Sequence, residues 1–157
     1  MHTLATLDSW KVFLLLVVSS ILMVVLMPFK GLGFLIAAVV IFTWLYSINS
    51  ELSRATGKSQ VKPKVLSTLG LFSVCVFMVA PYLAAFFKEI PFQFIILPIG
   101  IVFLVTMLRL MTDAGTLLKE AENLEKPKVS ASFLIWLWPL GVWFLQPRLQ
   151  KVLASNA

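Results

Sequence analysis

Apolar residues in this chain gather into long uncharged runs separated by very short polar breaks. Two of the runs flank the turn Lys88-Glu89-Ile90-Pro91, and an upstream pair flanks Pro28-Phe29-Lys30-Gly31. The pattern predicts two helical hairpins, with spans near residues 11–29, 31–50, 65–87 and 92–112. The second run is uncharged for 20 residues. As a helix it is about 30 Å long, the thickness of a hydrocarbon core. The first run is longer than the apolar part of a usual signal peptide. Pro28, Phe29 and Lys30 stand where a small-x-small cleavage site would be, so it reads as a retained span.

The breaks refine the picture. Residues 51–64 form a polar loop with Arg54, Lys58, Lys62 and Lys64 against Glu51, punctuated by Gly57 and Pro63. Trp44 and Tyr46, and Tyr82, Phe86 and Phe87 beyond Pro81, stand near run ends, where amphipathic rings favour the headgroup level. Pro91 suits a helix start, and Pro98 and Gly100 interrupt the fourth run.

After Arg109 the character changes. Residues 113–128 carry Leu117, Leu118, Ala121 and Leu124 at helical spacing, which predicts an amphipathic extension of the fourth helix at the membrane surface. Its Glu120, Glu122, Glu125 and Lys126 read as a solvated face, and Pro127 ends it. Residues 129–157 form a tryptophan-rich tail. It is uncharged for 19 residues before Arg148, but Pro139 and Gly141 break its middle and Pro147 its end. Trp136, Trp138 and Trp143 crowd that break. An interfacial or re-entrant helix–turn–helix is therefore expected, with a fifth span as the alternative.

Composition fits this architecture. Of 157 residues 60% are hydrophobic and only 13% charged, whereas soluble domains run near 45–50% and 25%. The net charge of +6 orients the hairpins. With the amino terminus inside, nine Lys/Arg of the connecting segments lie on the cytoplasmic side against Lys30 and Lys88 outside. Arg148 and Lys151 join the inner set if the tail does not cross. Both termini are then cytoplasmic. No basic stripe interleaved with aromatics points to nucleic acid; anionic lipid headgroups are the expected counter-charge.

Candidate chemistry is sparse. His2 is the one histidine and Cys75 the one cysteine, so a metal centre, an internal disulfide or a Ser-His-Asp arrangement has no parts. No cofactor and no enzyme activity is expected. Arg109 sits at the edge of the fourth span with Asp113 one turn on, an i,i+4 pair that can neutralise both. Arg109 either snorkels to the interface or lines a pore mouth. Polar span residues such as Ser19, Ser20, Asn49, Ser73 and Thr106 are expected to bond between helices. No Gly-x-x-x-Gly seam occurs in any run. Phe29-Lys30 and Phe87-Lys88 at matching offsets hint at a duplicated hairpin.

The tail carries the most distinctive text: Trp136, Trp138, Pro139, Gly141, Trp143, Gln146, Pro147 and Arg148. It resembles the carboxy-terminal W-x-P-x-G-x-W-x-x-Q-P-R/K pattern of small bacterial four-span membrane proteins. The resemblance covers residues 113–153 and implies a bacterial inner membrane; it brings no activity with it. Here Pro139-Leu140-Gly141 would turn, the tryptophans anchor, and Arg148 and Lys151 meet phosphate. The candidate gate or interface is thus Arg109, Asp113, Trp136, Trp138, Pro139, Gly141, Trp143 and Arg148. The expected function is a homo-oligomeric channel-like or membrane-perturbing component. The alternative is a non-catalytic membrane subunit or scaffold that anchors a larger complex through a membrane or cytoplasmic protein partner.

Overall fold

A computed structural model of the chain describes Ala5 and residues 7–26, 32–86, 92–122, 133–134, 137 and 140–155. The described residues form five helices and no strand: α1 (Ser9–Val25), α2 (Leu32–Ala55), α3 (Val61–Phe86), α4 (Phe92–Ala121) and α5 (Val142–Ser155). Three stretches are long and apolar enough to cross a membrane: Leu32–Ala55, Val61–Ala80 and Ile96–Ala121. α1 is apolar but has 17 residues, about 25 Å, at the short end of the spanning range. The fold is all-helical, and its class is that of a multi-pass membrane protein. The two hairpin turns at residues 28–31 and 88–91 lie outside the described residues, as do His2, Glu125, Lys126, Pro127, Lys128 and the side chains of Tyr82, Phe86 and Phe87.

The helices pack in chain order, α1 on α2, α2 on α3 and α3 on α4, with α4 returning to α2. Phe42, Trp44, Leu45, Ile48 and Leu110 fill the space between them. Phe42 stacks edge-on against Phe103 with ring centroids 5.6 Å apart. Gly70 admits that ring: a Cβ there would overlap Phe42. The outer faces carry exposed Val18, Ile21, Phe72, Phe94, Leu97 and Leu104. So continuous an apolar exterior is costly in water and ordinary in lipid.

Several expectations change. The α2–α3 loop is shorter than predicted, because α2 runs to Ala55 and α3 starts at Val61. Arg54, Lys62 and Lys64 are therefore helical. Gly57, at φ 67°, closes α2: Lys58 N–H donates to the Ser53 carbonyl at 2.7 Å and Gly57 N–H to Arg54 at 3.2 Å. That pair of bonds satisfies the carbonyls a helix end leaves open. Trp44 is 2% exposed and belongs to the core, not to a headgroup belt.

The span hydroxyls bond within their own helices. Ser19 and Ser20 donate to the Leu16 carbonyl, Ser73 to Gly70, and Thr106 to Val102 and Phe103. The carbonyl three or four residues back is simply nearest. Residues 113–121 continue α4, with Ala114, Leu117 and Leu118 buried in the common core; this stretch packs on protein rather than on a lipid surface.

The apolar stretch 129–146 is divided by a turn at Leu140 and Gly141, after which α5 begins. Pro147 lies inside α5 and does not end it. Its missing N–H is outweighed by burial of Leu149 and Val152 farther along. α5 packs on α1 and α2. Gly141 meets the chain just before the turn so closely that a Cβ would overlap the Leu134 carbonyl.

Candidate functional site

Charged residues concentrate at one end of the bundle, where α2 ends, α3 begins and the second half of α4 passes. Two ion pairs tie these elements together. Lys58 of the loop reaches Glu120 of α4. Lys62 of α3 reaches Asp113 of α4, with Nζ 3.0 Å from Oδ1 and 2.8 Å from Oδ2. This corrects the expected Arg109–Asp113 pair. An exposed i,i+4 pair contributes only a few tenths of a kcal/mol, and α3 presents Lys62 directly to the carboxylate. Arg109 is exposed and forms no ion pair among the described residues.

Between the pairs lies a cleft of about 180 Å³. Lys58, Ser59 and Lys62 line one side, Asp113 and Thr116 the other, and Asn49 and Ser53 of α2 are part of its wall. Asn49 is 1% exposed. Its Nδ2 donates to the carbonyls of Leu45 at 2.8 Å and Leu110 at 3.0 Å. These two acceptors orient the amide, since a flipped amide would set oxygen against oxygen. They also link α2 to α4. Asn49 Oδ1 is left without a partner among the described residues. A buried acceptor left in this way costs about 1–3 kcal/mol.

The tail residues make a second constellation, a clasp on the amino-terminal segment. Gln146 Nε2 donates to the carbonyls of Ala5 at 2.7 Å and Leu7 at 2.8 Å, and Gln150 Nε2 to Leu7 at 3.0 Å. Ala5 N–H in turn donates to Ser47 Oγ at 2.9 Å. Phe13 and Trp143 face each other with centroids 5.4 Å apart.

Arg148, expected to meet lipid phosphate, is paired with Glu122. Its Nε and a terminal nitrogen grip Glu122 at 2.8 and 2.5 Å. That bidentate bond, aided by the charge of Glu122, raises the Arg148 pKa above its ordinary value against the opposite pull of burial. Glu122 and Glu120, read from the sequence as solvated, are both ion-paired. Trp136, Trp138 and Pro139 lie outside the described residues. Of the expected site, then, Asp113 lies at the cleft, Gly141, Trp143 and Arg148 belong to the clasp region, and Arg109 joins neither. The sequence offered Asn49 as a polar span residue that bonds between helices, as it does to Leu110, but not as part of a cleft. An amide six residues before the last residue of an apolar helix was the available signal.

Comparison with protein-family models, curated protein sequences and solved structures finds no match to this chain. The class of the fold, an all-helical multi-pass membrane protein, therefore rests on its own helices and surfaces.

Proposed function

We propose that the chain is a four-span protein of a bacterial inner membrane, with both termini cytoplasmic, that serves as a non-conducting, non-catalytic membrane subunit or scaffold. The carrying observation is the filled interior: Phe42, Trp44, Leu45, Ile48 and Leu110 occupy the centre of the bundle, all 2% exposed or less. Packing of this kind supports a solid anchor over a lumen within one chain. The positive-inside bias supports the orientation and the tail pattern supports the bacterial membrane. The polar end, cross-linked by Lys58–Glu120 and Lys62–Asp113, offers a firm face to a cytoplasmic or membrane partner or to a second copy.

Proteoliposomes holding the full chain test this reading. We expect no ion flux above protein-free vesicles, whether the chain is monomeric or self-associated. Flux that falls with Arg109→Ala or with removal of residues 129–157 would establish the channel reading in its place.

A further inference from the structure

A second feature lies on the same seam as the polar cleft. Leu69, Phe72, Ser73 and Val76 of α3 and Pro98, Ile99 and Val102 of α4 line a groove of about 230 Å³. Ser73 spends its hydroxyl on the Gly70 carbonyl, so the described residues of the groove offer no free side-chain donor. The helical repeat sets it in line with the cleft. Lys62, Leu69, Ser73 and Val76 follow one another at steps of seven, four and three residues along α3, and Asp113, Val102 and Ile99 do so along α4 at steps of eleven and three. From Lys62 to Leu69 the rise along α3 is about 10 Å. A polar pocket about 10 Å from an apolar groove on one helix seam has the layout of a phospholipid, headgroup above acyl chain.

The chemistry of the cleft selects the headgroup. Lys58 and Lys62 offer N–H donors to a phosphate, and Asp113 offers acceptors to a group rich in N–H; the Asn49 oxygen, buried in the wall beside them, has no partner among the described residues. The site's own charges balance, two lysines against Asp113 and Glu120. A net-neutral zwitterion enters without leaving a charge uncompensated, whereas a net anion does not. A quaternary ammonium has no N–H for Asp113 and favours aromatic walls, and no aromatic residue lines the cleft among the described residues.

We propose that the α3–α4 seam binds one phospholipid of the phosphoethanolamine type, its phosphate at Lys58 and Lys62, its primary ammonium at Asp113 beside Asn49, and an acyl chain in the groove. This rests on the membrane placement proposed above. The test is native mass spectrometry of the full chain, delipidated in detergent and offered an equimolar mixture of phosphatidylethanolamine, phosphatidylcholine and phosphatidylglycerol with identical chains. We expect one phosphatidylethanolamine retained about tenfold over either competitor. Asp113→Asn, which leaves the cleft with surplus positive charge, should shift retention toward phosphatidylglycerol. Ile99→Trp, which fills the groove, should lower retention of all three.

Equal retention of the three lipids by the native chain would overturn the proposal. So would an unchanged ratio in Asp113→Asn. A parallel arm offers free O-phosphoethanolamine: stabilisation of the native chain by it as large as that by the lipid would overturn the acyl-chain part and leave a soluble zwitterion as ligand. Protection of Cys75 from a water-borne maleimide, measured in cell membranes, reads the placement separately. A labelled Cys75 is failure of that placement; a protected Cys75 with equal lipid retention is failure of the site alone.

Discussion

At the residue scale, the polar side chains divide into those that hold the fold and those open to a ligand. Arg148 belongs to the first group. Replacing it with Met leaves Glu122, at 13% side-chain exposure, without its cation. We expect a loss of about 1–3 kcal/mol, read as thermal unfolding in detergent. Combining it with Glu122→Gln should recover part of that loss. Arg109→Ala should leave the same unfolding curve unmoved, because Arg109 is exposed and unpaired among the described residues. The pH dependence follows from the raised pKa of Arg148. A raised folded pKa stabilises fully below the unfolded value and fades only as pH climbs through the folded one. For an arginine that lies in strong alkali, so this group should confer no pH dependence between about pH 5 and 9. A pH-dependent coupling of Arg148 to Glu122 above neutrality would contradict this.

At the scale of elements, glycine positions discriminate packed seams from open ones. Gly141 abuts backbone at Leu134, whereas Gly100 in α4 has nothing near enough to meet a Cβ. Gly141→Ala should therefore destabilise by about 1–3 kcal/mol through a backbone shift at the start of α5. Gly100→Ala should be neutral or stabilise by up to about 1 kcal/mol from helix propensity. Parallel unfolding curves compare the two, and equal effects would mean that the turn before α5 is looser than described. Gly70→Ala should cost stability too, and Phe42→Leu in the same chain should relieve part of it, since the methyl competes with the ring alone. α5 itself is an element that the sequence understated. Its 14 residues are too few for a span, yet Val142, Leu145 and Leu149 are buried with the ends of α1 and α2.

At the scale of the whole molecule, the surface is the clearest statement of the protein's solvent. Cys75 in α3 is exposed on the fold, but it is flanked by the apolar face of Phe72 and Val79. In native membranes it should resist a membrane-impermeant maleimide until the bilayer is dissolved. A Ser59→Cys variant in a Cys75→Ser background should be labelled from the cytoplasmic side alone. Labelling of Ser59→Cys from outside would reverse the orientation.

The helical character of the long apolar runs and the membrane class were legible from the chain, because they depend on local composition: twenty uncharged residues in a row leave few other solvents. Gly57 and Pro63 likewise marked the loop, although its length fell to the five residues 56–60 once α2 closed on Gly57. The partners of the polar groups were not legible. Lys62 and Asp113 are 51 residues apart and Gln146 and Ala5 are 141 apart, and no local pattern encodes such a meeting. The i,i+4 rule offered Arg109 for Asp113, and only the approach of α3 to α4 gave that carboxylate to Lys62. The same approach left the Asn49 oxygen without a partner among the described residues, beside a cleft, and brought an apolar groove into line with it. Apolar burial sums over neighbours along the chain, whereas a polar contact is set by a single distance, and that distance exists only when the helices have packed.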